Sequence, residues 1–88
     1  MDSLFFNKAE FNGDLSRWQV GQVTDMSSMF HSATSFDGDL SGWNVGQVTD
    51  MIGMFRRATS FNRQLGGSWS ASTASQVQMF NGSGGSIA

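Results

Sequence analysis

The chain has 88 residues, of which 39% are hydrophobic and only 14% charged, and its formal net charge is −2. This length leaves room for one small domain. The weak negative charge argues against a surface that binds a phosphate backbone, so no nucleic-acid partner is expected. The absence of cysteine excludes disulfide scaffolds and thiolate metal sites, and no apolar run reaches the roughly 18 residues of a transmembrane segment.

The first ten residues, MDSLFFNKAE, lack a basic stretch followed by an apolar run, so no signal peptide is predicted. They align instead with residues 26–35, with Phe5 matching Phe30, and are expected to form a partial repeat. This segment offers no polar cap to the repeats that follow it. Phe5 and Phe6 are therefore candidates for self-association, or for contact with a larger complex, through an open N-terminal end.

Residues 11–35 and 36–60 are two copies of one 25-residue sequence, FNGDLSRWQVGQVTDMSSMFHSATS and FDGDLSGWNVGQVTDMIGMFRRATS, which differ at seven positions. Such a period predicts a repeat solenoid, because one unit cannot bury its own apolar face and must stack on a neighbour. A degenerate third repeat covers residues 61–80, so one solenoid domain is expected over residues 1–80. Residues 81–88, NGSGGSIA, are predicted to be a flexible Gly/Ser tail.

Each repeat is predicted to contain two short β-strands and a short helical turn. The strands are the Leu-x-x-Trp-x-Val and Val-Thr-Asp-Met stretches, which are rich in aromatic and β-branched residues, and the helical turn covers residues 28–33. Columns of matched apolar residues are expected to form the shared core. The columns are Phe11/Phe36/Phe61, Leu15/Leu40/Leu65, Trp18/Trp43/Trp69, Val20/Val45, Val23/Val48, Met26/Met51, Met29/Met54/Met79 and Phe30/Phe55/Phe80.

The pattern F-[ND]-G-D-L-S-x-W-x-V-G-x-V-T-D-M-x-x-M-F-x-x-A-T-S resembles the BspA-like, leucine-rich-repeat-like surface protein family. Members carry tandem copies of this length with much the same W-x-V-x-x-V-T-D-M-x-x-M-F signature, and the resemblance extends over about residues 1–80. It implies a fold similar to leucine-rich repeats and a role in adhesion or protein binding at a cell surface. It assigns no catalytic residue to any position of this sequence.

No catalytic constellation is found in the sequence, so the chain is not expected to be an enzyme or to bind a cofactor. His31 is the single histidine, and it shares a column with Phe6 and Arg56, so it is expected to face solvent. The sequence contains no Gly-x-Ser-x-Gly, no P-loop and no histidine pair for a metal ion.

Two pairs of aspartates recur one repeat apart, Asp14 with Asp39 and Asp25 with Asp50. Turns stacked at roughly 4.8 Å would bring each pair of like charges close together, which raises one pKa or recruits a cation such as Ca²⁺. The favoured interpretation is that each carboxylate accepts backbone N–H groups at a turn. No metal site is therefore predicted, and these four residues are the candidates if one exists.

Two further sets of side chains could contact a partner. Arg56, Arg57 and Arg63 cluster at the connection between the second and third copies and are predicted to form a solvated face, with an acidic partner or lipid headgroups as the alternative. The tryptophan column is expected to lie in the core, with an exposed platform for sugars or a partner as the alternative.

The sequence therefore predicts a non-catalytic protein-interaction or adhesion module, a fragment or a short relative of larger surface proteins. Its partners are expected to be other proteins. The alternative is a structural accessory subunit that serves as a scaffold in a larger complex, such as a membrane-associated or photosynthetic complex of an organelle.

Overall fold

Turns and irregular backbone make up most of the chain, which a computed structural model describes over residues 1–88. The molecule measures 28 × 26 × 22 Å. Strand β1 (Gln64–Leu65) pairs in parallel with strand β2 (Ser86–Ile87), and a 3₁₀ helix covers Gly67–Trp69. None of the helical structure has the length and apolarity that a membrane crossing requires.

Backbone hydrogen bonds connect residues that lie about one repeat apart in the sequence. The Met26 N–H donates to the Asp50 carbonyl at 2.9 Å, and the Met51 N–H donates to the Ser75 carbonyl at 2.8 Å. Isolated parallel bridges pair Asp25 with Asp50 and Asp50 with Ser75. Successive copies therefore run parallel to one another, and each bridged residue pairs with the residue 25 positions later in the chain.

The predicted helical turn at residues 28–33 is wrong. The Phe30 N–H donates to the carbonyl of Met54 in the next copy at 2.8 Å, whereas the His31 N–H donates to Ser28 three residues back at 3.2 Å. A helix would direct all of its amides along its own axis. Here alternate amides point to the neighbouring copy, so the segment forms a series of tight turns instead.

These turns place two residues of each copy in the left-handed region of backbone space. The φ angle of Ser28, for example, is 55° at the third position of the turn from Met26 to Met29, where glycine or asparagine is usual. The same two places recur in every copy. They are Ser3, Ser28, Gly53 and Gln78 for the first, and Asn7, Ser32, Arg57 and Gly82 for the second.

The predicted Leu-x-x-Trp-x-Val strand is also wrong in the first two complete copies. The Trp18 N–H donates to the Leu15 carbonyl at 3.0 Å, and the Trp43 N–H donates to the Leu40 carbonyl at 3.0 Å, so each stretch begins with a turn. The Asp14 carboxylate accepts the N–H two residues on, which favours the turn over an extended strand. Regular strand pairing is confined to the last copy and the C-terminus.

The core is one cluster of 19 buried hydrophobic side chains with a large stack of aromatic rings. The rings of Phe11, Phe36 and Phe61 lie one above another, with centroids 5.8 and 5.9 Å apart, as the repeat period predicts. Phe30 lies beside this column, 4.2 Å from Phe36, and 5.3 Å from Phe55 of the next copy. Stacked rings therefore connect the copies through the centre of the molecule.

Residues 81–88, for which the sequence predicts a flexible tail, turn back onto the third copy. The Gly84 N–H donates to the Phe61 carbonyl at 3.0 Å, and the Ala88 N–H donates to the Leu65 carbonyl at 2.9 Å. Gly85 lies so close to the Phe61 ring that a Cβ there would be 2.5 Å from a ring carbon. The tail therefore covers part of the C-terminal end of the core.

Candidate functional site

The four aspartates that are candidates for a metal site each accept a backbone N–H group two residues further along. The Asp14 carboxylate accepts the Ser16 N–H at 2.9 Å and the Ser16 hydroxyl at 2.7 Å. The Asp25 carboxylate makes the same two contacts with Ser27, at 2.9 and 2.8 Å. Asp39 and Asp50 accept the N–H groups of Ser41 and Ile52 at 3.0 and 2.9 Å.

For Asp14, Asp25 and Asp39, these hydrogen bonds change the pKa in the direction opposite to that expected for a like-charge pair. The Ser16 hydroxyl and N–H lower the pKa of Asp14, and the Ser27 N–H and hydroxyl lower that of Asp25. The Ser41 N–H and hydroxyl lower the pKa of Asp39. No three His, Cys, Asp or Glu side chains are grouped to hold a metal ion. What the structure places at each aspartate is a turn closed by a hydrogen bond from the N–H two residues further along.

Basic and aromatic side chains at one position of the repeat form a strip across successive copies. The Phe6 ring stacks on the His31 ring at 4.8 Å, and Arg56 follows at the same position of the next copy. Arg57 is exposed beside Arg56. We name Phe6, His31, Arg56 and Arg57 the basic strip. The structure thus brings three of the predicted interaction residues together and adds the histidine.

His31 takes part in this strip more closely than the sequence predicts. Its ring is half-buried rather than fully exposed, and its Nδ1 lies 3.1 Å from the Ser32 hydroxyl. Partial burial, followed by the positive charges of Arg56 and Arg57, lowers the pKa of His31. Neutral imidazole is therefore favoured, and the positive charge of the strip comes from its two arginines.

The remaining two interaction candidates lie elsewhere. Arg63 is bound to Asp37: its Nε is 3.3 Å from the carboxylate, and its Nη2 donates to the backbone carbonyl at 2.8 Å. Phe5 is part of the aromatic stack, with its ring 4.3 Å from Phe11 and 5.4 Å from Phe30. Arg63 therefore makes a contact between copies, and Phe5, which is half-buried, packs against the core.

The tryptophan column is core in two copies and exposed in one. The Trp43 and Trp69 indoles are buried, and their Nε1 groups donate to the carbonyls of Leu15 and Leu40 in the preceding copy at 2.8 and 2.9 Å. Trp18 is 43% exposed. It lines an open cleft with Arg17, Gln19 and Asn44 at the N-terminal end of the stack.

The sequence does not identify His31 as an interaction residue, because a position occupied by Phe, His and Arg in successive copies indicates simple solvent exposure. The signal that could have found it is the 25-residue column itself. In a stack, residues in one column are neighbours, so Phe6, His31 and Arg56 had to lie in a row.

The family described as "Mycoplasma protein of unknown function, DUF285" matches residues 1–86. This family is commonly described as repeats of surface proteins. Neither the curated proteins nor the solved structures include a significant match to the chain.

Proposed function

The chain belongs to the DUF285 family, and from that premise we propose that it is a non-catalytic repeat module that binds other proteins at a cell surface. We propose further that its architecture is a leucine-rich-repeat-like solenoid of the BspA-like type, with one turn for each copy of 25 residues. The hydrogen bonds between copies and the aligned phenylalanine rings support this architecture.

The observation that carries the proposed function is where the two complete copies differ. Their buried side chains are identical, and at the seven differing positions every residue is exposed or half-buried except Gly53. The differing pairs are Asn12/Asp37, Arg17/Gly42, Gln19/Asn44, Ser27/Ile52, Ser28/Gly53, His31/Arg56 and Ser32/Arg57. A constant interior with a varied exterior is the arrangement of a repeat scaffold that presents side chains to partners.

The basic strip is the part of this exterior that we assign to binding. Two of the differing pairs, His31/Arg56 and Ser32/Arg57, place both arginines in the second copy. Guanidinium groups bind carboxylates through paired hydrogen bonds, and the Phe6 ring beside them offers an apolar contact. The strip therefore fits an acidic segment of a partner protein that also carries an apolar side chain.

A pull-down from native extract with the intact chain tests this function. The experiment compares the wild-type chain with the double variant Arg56→Glu/Arg57→Glu, which reverses the charge of the strip. Arg17→Glu is the matched control, because Arg17 is an exposed arginine outside the strip. Circular dichroism checks that the three proteins fold alike.

We expect the wild-type chain and the Arg17→Glu control to retain the same acidic proteins and the double variant to lose them. Equal recovery by all three proteins would contradict the assignment of the strip. Recovery of one large assembly with fixed stoichiometry, insensitive to the charge reversal, would favour the accessory-subunit alternative instead.

A further inference from the structure

Exposed apolar side chains concentrate at the two ends of the stack. Of the large exposed hydrophobic residues, Leu4, Phe6 and Trp18 lie at the N-terminal end and Val77, which is 60% exposed, lies at the C-terminal end. Only Ile52 lies between them. Each end therefore leaves apolar side chains uncovered that a docking partner would bury.

The backbone at the two ends has complementary hydrogen-bonding groups. Within the stack, each copy donates N–H groups to the carbonyls of the next copy, as Ser28 does to Ile52 at 2.9 Å and Ser32 does to Arg56 at 2.8 Å. At the C-terminal end the matching donors lack backbone acceptors; they are the N–H groups of Gln76, Gln78, Phe80 and Gly82. At the N-terminal end the matching acceptors lack backbone donors; they are the carbonyls of Asp2, Leu4 and Phe6.

We propose that a second copy of this chain docks head to tail, with its N-terminal end on the C-terminal end of the first. The register used within the stack pairs the N–H groups of Gln78, Phe80 and Gly82 with the partner copy's carbonyls at positions 2, 4 and 6. This inference deepens the proposed function, since it names a second copy of the chain as a partner. It does not depend on the positive charge of the basic strip.

The side chains of the two ends fit this register. The column formed by Phe5, Phe30, Phe55 and Phe80 has ring spacings of 5.4, 5.3 and 5.5 Å. The second copy continues it by placing its own Phe5 ring on Phe80. Because each copy uses a different surface at its two ends, the contact is heterologous and does not close on itself. Association therefore proceeds to open-ended rows of copies.

Variants that block one end each test this geometry. Leu4→Asp places a short carboxylate in the apolar N-terminal contact, and Val77→Asp places one opposite Asp2 of the next copy. Val77→Lys is the comparison variant: it also places a charge at position 77, but its ammonium group would face Asp2 of the next copy and attract it. Ile52→Asp is the matched control, since Ile52 occupies the same column as Asp2 and Val77 but lies inside the stack.

Sedimentation velocity over a range of concentrations gives the readout. For the wild-type chain, Val77→Lys and Ile52→Asp, we expect the weight-average mass to rise above that of one chain as concentration increases. Leu4→Asp and Val77→Asp are expected to remain monomers when measured alone. An equimolar mixture of these two is expected to reach twice the mass of one chain and no more, because each supplies one intact end.

A wild-type chain that stays monomeric at all concentrations, with unchanged circular dichroism, would overturn the proposal. So would a mixture of the two blocked variants that stays monomeric while the wild type associates, since that excludes a head-to-tail contact. Either result leaves the proposed function standing, because the pull-down depends on the charge of the basic strip and not on self-association.

Discussion

The first and second complete copies have nearly the same sequence but different surroundings. Trp18 and Trp43 lie in matched positions, yet Trp18 is 43% exposed and Trp43 only 2%. Phe11 is likewise half-buried where Phe36 is fully buried. The second copy lies between the first copy and the third, whereas the first has only the ten-residue segment on its N-terminal side.

This difference shows that burial in the molecule is set by the neighbouring copy and not by the sequence of a copy alone. The same side chain contributes to stability in one copy and to an open surface in the other. Substituting matched positions in the two copies therefore separates the contribution of stacking from the contribution of residue type.

The largest difference is expected for the phenylalanine column. Phe36→Ala removes a fully buried ring that stacks on Phe11, Phe30 and Phe61, so we expect it to lower the free energy of unfolding by about 3–5 kcal/mol. Phe11→Ala removes a ring open to solvent on one side and should cost less than half as much. Urea unfolding followed by circular dichroism measures both. Equal losses would contradict stacking as the source of burial.

The tryptophan pair is expected to show the next largest effect. Trp43→Phe removes the indole hydrogen bond to the Leu15 carbonyl, which still accepts the Trp18 N–H, and it puts a smaller ring in a fully buried position. Together these losses are expected to cost about 1–3 kcal/mol. Trp18→Phe removes no such hydrogen bond, and the free energy of unfolding should change by less than about 0.5 kcal/mol. The same unfolding measurement serves here, and a Trp18→Phe variant as unstable as Trp43→Phe would show that the first copy is not open.

A smaller effect is expected where the copies differ in backbone preference. Gly53 has a φ angle of 62°, so Gly53→Ser should cost about 1 kcal/mol of left-handed strain. The reverse change in the first copy, Ser28→Gly, relieves the same strain. Because the entropy that glycine gives the unfolded chain enters both substitutions with opposite sign, we expect Ser28→Gly to raise the free energy of unfolding by a similarly small amount. Thermal unfolding of the two variants gives the comparison. A destabilised Ser28→Gly would contradict the observed backbone geometry.

The smallest expected effect is a pH dependence that only the first copy has, through His31. Partial burial and the charges of Arg56 and Arg57 lower its pKa in the folded chain, so the unfolded chain binds the proton more tightly. Stability should therefore fall as the pH drops through about 6.5, the ordinary histidine value, toward the lower folded value. His31→Gln should remove this part of the pH profile. A wild-type stability that rises on acidification in this range would have the wrong sign.

The repeat period predicts the stacked columns well, because identical residues one period apart must meet identical neighbours. It does not distinguish Phe5, which packs against the core, from Phe6, which lies on the basic strip. The two phenylalanines are adjacent in the chain, so only the conformation of the turns decides which ring points inward.

Two structural features could not be predicted from composition and propensity. Residues 28–33 have no glycine in the first complete copy, so nothing in the sequence indicates the left-handed angle at Ser28, and the pattern favours a helical turn. The Gly/Ser-rich segment 81–88 has the composition of a flexible tail, and nothing in its local sequence indicates that Gly85 fits against the Phe61 ring. In both cases a contact with another copy overrides the local preference.

Native-state hydrogen exchange at matched amides is the most direct test of the central claim. The claim is that each copy donates alternate N–H groups to carbonyls of the next copy. Below the concentration of self-association, we expect the amides of Phe30 and Phe55, which donate to Met54 and Met79 at 2.8 Å, to be strongly protected. The amide of Phe80, in the same column, should exchange freely. Fast exchange at Phe55, or protection at Phe80 equal to that at Phe55, would contradict the account.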